Sequence, residues 1–202
     1  IARQWIRHRT ANVNEYSARY SILDNEFYIP KYEHLAAQSD INNQGRGNLI
    51  TGADADKVLE LLKRDAIQCY DTYTYLLNED NVDPSRQGLA RELARMNLPV
   101  NFYTQWYWKI DLHNLLHFLS LRADSHAQYE IAAYADVILE IVKKWVPITY
   151  QAFLDYKKNS VHLSAKAFDV LKRRLNGETV EQENSGLSKR EWSEMVDIMK
   201  FT

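Results

Sequence analysis

Residues 98–110, "LPVNFYTQWYWKI", form the long run in this chain that alternates as a strand does. Leu98, Val100, Phe102, Thr104, Trp106, Trp108 and Ile110 would share one face. Asn101, Tyr103, Gln105, Tyr107 and Lys109 would take the other, since successive strand side chains point to opposite sides. Elsewhere the apolar residues recur mostly at three- and four-residue steps. Val58, Leu61, Leu62, Cys69, Tyr73, Leu76 and Leu77 mark one long helix. Ile131, Ala135, Ile138, Val142, Trp145, Thr149, Ala152 and Tyr156 mark another, which Pro147 should kink or break. A chain with few strands and long helices cannot build a large sheet. The expected fold is therefore α+β: a small, mainly antiparallel sheet flanked by long helices, in a single domain over residues 1–202.

Shorter segments fill in the order. Residues 1–9, "IARQWIRHR", read as a strand and "NVNEYS" as a turn, with Asn14 able to cap a short helical turn. "NEFYIP" reads as a short strand stopped by Pro30. Residues 36–52 are polar and glycine-containing, which predicts a mobile loop. Asp83 and Pro84 suit the N-cap and first position of a helix running toward Pro99, and "LHNLLHFLSL" predicts a helix after the strand. Ser125 and Gln128 could form a capping box before the long helix, and Ser188 and Glu191 one before the last. The chain begins at Ile1, without Met and already inside a patterned segment, so an upstream portion is expected to be missing.

Charge narrows the function classes. With 25 Lys plus Arg against 27 Asp plus Glu, the net charge is −2, which does not suit a general binder of nucleic-acid polymers or of membrane surfaces. No apolar run is long enough to span a bilayer and no signal peptide is evident. The single cysteine, Cys69, excludes an internal disulfide framework and fits a reducing compartment. It falls on the apolar stripe of a helix, so it reads as a buried small hydrophobe and not as a nucleophile. "GRGNLITG" fits neither the dinucleotide fingerprint nor the P-loop.

Polar chemistry concentrates in four places. "RHRTANVNEYSARY", residues 7–20, holds Arg7, His8, Arg9 and Arg19 around the acid Glu15. Arginine forks match phosphate or carboxylate oxygens, and a Ser at a turn adds a hydroxyl and backbone N–H groups. The same residues also fit a solvated charged edge, although Trp5, Ile6, Tyr16 and Tyr20 want burial nearby. "LRADSHAQYE" sets Arg122 directly after an apolar run, where it needs a partner. His113 and His117 lie four apart with Asp111 just before them, a spacing that suits a divalent metal. Asn114 stands where the H-E-x-x-H glutamate would be, so plain helix-face histidines are favoured and no metal site is expected. Arg91 and Arg95, also four apart, fit a solvated helix face.

"RHRTANVNEYSARY" closely resembles the signature of the flavin-dependent thymidylate synthases, Arg-His-Arg followed by a spaced Asn-Glu-x-Ser-x-Arg-Tyr. "ARMNLPVNFYTQWYWKIDLHNLLHFL" and "LRADSHAQYEI" resemble two further family segments in the right order, so the likeness runs from residue 1 to about residue 135. The resemblance implies methylation of dUMP to dTMP, with 5,10-methylenetetrahydrofolate as carbon donor and NADPH-reduced FAD as hydride carrier. It implies a cytoplasmic homotetramer whose sites are shared between subunits. By match, Arg7, His8, Arg9 and Glu15 would contact FAD, with Asp111, Leu112, His113 and His117 at its far end. Gln4, Trp5, Ile6, Arg7, Glu15, Tyr16, Ser17, Ala18, Arg19, Arg95 and Arg122 would hold dUMP, with Arg122 activating the uracil. Where some members have Asn and Arg, this chain has Asp111 and His113. Two other readings of the residues are a metal-dependent hydrolase using His113 and His117 with Asp111 or His126 as a further ligand, and a non-catalytic nucleotide-binding module using the arginines alone.

Overall fold

The computed structural model describes residues 1–40, 45–124 and 127–199. They divide into two compact units, Ile1–Leu139 and Glu140–Thr202. The α+β expectation holds: long helices accompany two separate two-stranded antiparallel sheets.

In the first unit, β1 (Ala11–Glu15) pairs with β4 (Trp106–Ile110), from Ala11 opposite Ile110 to Glu15 opposite Trp106. Opposed residues share a face, so Ala11, Val13 and Glu15 lie on the side of Trp106, Trp108 and Ile110. Those three β4 residues are half-buried while Tyr107 and Lys109 are exposed, as the alternation predicts. The strand is shorter than the alternating run. Phe102 N–H donates to the Pro99 carbonyl at 3.1 Å, closing a turn, and Val100 is 88% exposed. Among the described residues, 98–105 thus lack a continuous partner strand, with a bridge between Phe102 and Phe27 in its place. That bridge is all that forms of the strand expected at "NEFYIP".

Other expectations are corrected for equally local reasons. The first segment is not a strand: α1 (Ala2–Trp5) forms because the Ile1 carbonyl accepts from the N–H groups of Gln4 and Trp5 at 2.8 and 2.9 Å. "NVNE" is not a turn but lies in β1, where β4 supplies the ladder that Asn propensity alone would not. The expected 36–52 loop contains β2 (Ala36–Gln38) paired with β3 (Arg46–Leu49). The long helix α2 (Gly52–Leu77) ends on Asn78, which adopts the left-handed conformation at φ 46. The Asn78 side chain then organises the next turn, donating to the carbonyls of Asp83 (2.9 Å) and Arg86 (3.0 Å) and accepting from Asp83 N–H (2.9 Å). Asp83 is consequently spent on a turn with Ser85, and α3 (Arg91–Ala94) starts later than the Asp83-Pro84 pair predicts.

The turn returns to α2 through Leu89 N–H, which donates to the Leu76 carbonyl at 2.7 Å. Tyr73, Leu77 and Ala94 are buried there against Leu23, Tyr70, Leu76 and Leu98. Cys69 is half-buried, short of the full burial expected of it. Gly88 permits the approach: a Cβ at this position would sit 2.0 Å from the Leu77 carbonyl oxygen. Gly88→Ala is expected to cost about 1–3 kcal/mol. A urea midpoint equal to that of the parent chain would contradict this packing.

Helix α4 (Leu112–Arg122) is capped by Asp111, whose Oδ1 accepts from Asn114 N–H at 2.9 Å. Helix α5 (Tyr129–Trp145) follows, with Ile131 and Ala135 fully buried. The Ser125 half of the expected capping box lies outside the described residues. The second unit takes the last turns of α5, then α6 (Pro147–Phe153), α7 (Ala165–Leu175), the single turn α8 (Gln182–Ser185) and α9 (Lys189–Met199). Pro147 breaks the helix as expected and serves as the first residue of α6. This unit has its own core of Ala167, Val170, Val180, Leu187 and Met195, flanked by Leu163, Trp192 and Met199. Ser188 Oγ accepts from Glu191 N–H at 3.2 Å, the forward half of the predicted box. The Glu191 carboxylate instead accepts from Ser164 of α7's N-terminus.

Candidate active site

Helix α1, the turn after it and helix α4 bring the widely separated motifs together around one ring cluster. Trp5 meets Trp108 edge-on at 5.2 Å and Phe118 at 5.1 Å between ring centroids. Tyr134 of α5 closes on Trp5 at 5.5 Å. His8 packs edge-on against Phe118 at 4.8 Å and faces the preceding residue, His117, at 6.5 Å. Phe118 is fully buried, so this cluster fixes the imidazole beside the end of α4.

There His8 accepts a hydrogen bond: Arg122 Nε donates to His8 Nε2 at 3.0 Å. The apolar run therefore does not drive Arg122 into the core alone; His8 of the Arg-His-Arg motif is its partner. A donor at Nε2 requires a neutral imidazole with its proton on Nδ1. Burial first, then the charge of Arg122 and the neighbouring His117, hold His8 below the ordinary histidine range. A depressed histidine stabilises the fold above its unfolded value and loses that contribution as pH falls below about 6.5. NMR of the ring nitrogens is expected to show the Nδ1–H tautomer titrating below pH 6.5, and an Nε2–H tautomer would contradict the contact. The Arg122 terminal nitrogens make no further hydrogen bond among the described residues, so its planar fork stays open.

Arg7 and Arg9 flank His8, exposed, with no hydrogen bond or ion pair among the described residues. Ile6 is 55% exposed beside them. Glu15 closes β1, where Thr104 Oγ1 donates to its carboxylate at 2.8 Å. The next residue stays on the ladder, Tyr16 N–H donating to the Gln105 carbonyl at 2.8 Å. Asn14 therefore caps nothing, and the turn begins later, at Ser17. Ser17 Oγ accepts from Arg19 N–H at 3.3 Å, and buried Ala18 anchors the turn. Helix α3 holds this turn from outside: Arg19 pairs with Glu92 at 3.2 Å, and Arg91 donates to the Tyr20 carbonyl at 3.0 Å. Arg91 also pairs with Glu79. Arg95, four residues on, has no partner among the described residues. The two arginines that spacing treats alike thus divide, one structural and one open.

Asp111, Leu112 and His113 lie at the opposite end of α4 from Arg122. At the helical rise of about 1.5 Å per residue, this separates them by about 15 Å. Backbone and side-chain hydrogen bonds from Asn114 hold the Asp111 carboxyl below the usual carboxylate range. No three His, Cys, Asp or Glu among the described residues are grouped as a metal site needs, and His126 lies outside them. Two donors near the ring cluster are unsatisfied. The indole N–H groups of Trp5 and Trp106 are buried without a hydrogen-bond partner among the described residues. Buried donors are normally paired, so these fit an acceptor-rich ligand or a second chain.

One constellation escapes the sequence reading. Glu130, in the first turn of α5 and only 8% exposed, accepts from Tyr28 Oη at 3.0 Å, Arg46 Nη2 at 2.5 Å and Gln128 Nε2 at 2.7 Å. Gln128 Oε1 in turn accepts from Gln4 Nε2. Burial pushes the Glu130 carboxyl up, but these donors together outweigh it and hold it at about 2. An acid in a helix's first turn ordinarily signals only a favourable dipole contact, and Arg46 sits in a segment read as a loop.

Residues 1–148 match the family described as thymidylate synthase complementing protein. The chain is 62% identical over 199 residues to the flavin-dependent thymidylate synthase of Ruegeria pomeroyi, covering 98% of this chain and 65% of that protein. It is also 62% identical over 199 residues to the enzyme of the same name from Gluconobacter oxydans, of which it covers 64%. The chain therefore spans somewhat less than two thirds of these relatives' length. A crystal structure of the UMP/dUMP methylase PolB from Streptomyces cacaoi, bound with 5-Br UMP, superposes with a TM-score of 0.69 at 32% identity. That match covers 78% of this chain and 69% of PolB. With its Arg-His-Arg and Arg122 segments meeting in the fold, this chain belongs to the thymidylate synthase complementing protein family.

Proposed function

We propose that the protein is a flavin-dependent thymidylate synthase that methylates dUMP to dTMP, with 5,10-methylenetetrahydrofolate as carbon donor. The contact of Arg122 with His8 carries the reading, because it joins two motifs 114 residues apart at one open guanidinium fork. Relatives named as such enzymes and the dUMP-methylase likeness of the fold support it. The donor set suits an anionic nucleotide: Arg7, Arg9 and Arg95 are unspent, and Ser17 offers a turn. Gln4, Trp5, Ile6, Arg7, Glu15, Tyr16, Ser17, Ala18, Arg19, Arg95 and Arg122 are assigned to dUMP.

FAD is assigned to Arg7, His8, Arg9 and Glu15, with Asp111, Leu112, His113 and His117 toward its far end. The unspent guanidiniums of Arg7 and Arg9 fit its phosphates. When bound and reduced by NADPH, the flavin supplies the hydride. The chain's own task is electrostatic. As uracil C5 becomes nucleophilic, negative charge gathers on N3 and the adjacent oxygens. The Arg122 fork, turned by His8, is placed to stabilise it. No cysteine nucleophile is required.

We further assign a homotetramer with sites shared between subunits, in the cytoplasm. Val100 and Tyr107 are 88% and 85% exposed, which suits cover by another chain. Among the described residues, no helix is long and apolar enough to cross a membrane. Purified protein is expected to be yellow, tetrameric by light scattering, and to form dTMP only with NADPH and methylenetetrahydrofolate together. An active flavin-bound monomer would overturn the shared site, and one zinc per chain without flavin would overturn the assignment.

A further inference from the structure

We propose that Glu130 is a positioning residue of the nucleotide site. Through Gln128 it fixes the polarity of the Gln4 side-chain amide, so that Gln4 presents its carbonyl oxygen to a hydrogen-bond donor of the nucleotide. This rests on the assignment of Gln4 to dUMP made above.

The argument is one of donors and acceptors. An ionised carboxylate can only accept, and Glu130 is ionised at any working pH. Gln128 must therefore turn its NH2 toward Glu130, at 2.7 Å, which leaves its own Oε1 pointing away. That oxygen can only accept, so Gln4 must offer its NH2 to Gln128. The Gln4 Oε1 is what remains, and it has no partner among the described residues. An unconstrained glutamine would present oxygen or nitrogen with similar ease, and a donor on the ligand would meet the wrong end part of the time. Tyr28 and Arg46 matter because they hold the carboxylate still from two other segments of the chain. The relay thus converts a buried charge into a fixed acceptor on α1, three residues before the Arg-His-Arg motif begins at Arg7.

The test is a double-mutant cycle in dUMP binding, by calorimetry on the flavin-loaded full-length protein. Gln128 is exposed, so Gln128→Ala is not expected to disturb folding. Gln4→Ala and Gln128→Ala should each weaken dUMP binding by roughly three- to tenfold, the worth of one hydrogen bond. In the Gln4→Ala background, Gln128→Ala should cost nothing further, because its only proposed role is to orient Gln4. Glu130→Gln, which can donate as well as accept, should weaken binding to a similar extent while flavin content is unchanged. If Gln128→Ala binds dUMP like the parent, or its loss persists without the Gln4 side chain, the positioning role is overturned while the dUMP reading stands. A parent protein that binds flavin but not dUMP would overturn both.

Discussion

Arg122→Ala is expected to lower dTMP formation by roughly a hundredfold or more, about 3 kcal/mol of transition-state stabilisation. The loss should fall on turnover, since charge on the uracil develops after binding. Arg122→Lys should rescue little. One ammonium cannot both donate to His8 from the Nε position and present a planar fork beyond it. Cys69→Ala is the control: the thiol is half-buried on α2 and should cost about 1 kcal/mol of stability at most, leaving turnover per folded molecule intact. Assays with NADPH and methylenetetrahydrofolate, normalised to flavin-loaded protein, decide between them. An active Arg122→Ala beside an inactive, folded Cys69→Ala would reverse the assignment toward covalent catalysis.

Removing the Glu130 carboxylate should have the largest effect on stability. Glu130→Ala takes the carboxylate acceptor from the Tyr28 hydroxyl and from Arg46, whose exposed guanidinium keeps only the His34 carbonyl, a loss on the order of 3 kcal/mol for hydrogen bonds to a charged group. The same group predicts an acid limb. Its folded value is about 2 against an ordinary 4.5, so its contribution is fully present above pH 4.5 and disappears as pH falls toward 2. That difference corresponds to roughly 3 kcal/mol. Urea midpoints of the parent should therefore drop between pH 5 and pH 2 more steeply than those of Glu130→Gln. Parallel curves would show that the carboxylate is not held as the structure indicates.

The long helices were legible because their apolar periodicity runs through many turns, and α2 and the break at Pro147 lie where the sequence predicts. The short elements were not. Alternation over 98–105 has the pattern of a strand but, beyond the Phe102–Phe27 bridge, no strand to pair with, while the polar "ANVNE" becomes one because Trp106–Ile110 lies alongside. Of the candidate site, the need of Arg122 for a partner was readable from the apolar run before it. The identity of that partner was not, since it lies 114 residues away. Glu130 stayed hidden because its donors come from Tyr28, Arg46 and Gln128, segments that no local pattern connects.

The β1–β4 ladder also sets how the chain tolerates insertions and deletions. It is five residues long, two strands wide and free of bulges, so nothing inside it can absorb a change of length. Deleting one residue between Ala11 and Asn14 forces a choice. Either the preceding strand residues slip to the opposite face, exchanging Val13 for Asn12 beside Trp108, or Glu15 and the Ser17 turn are pulled out of register with Thr104 and Gln105. Substitutions at the exposed Asn12 should pass with little effect, whereas a single-codon deletion beside it should abolish the site. Libraries built on this protein should therefore vary the strand by identity and keep its length.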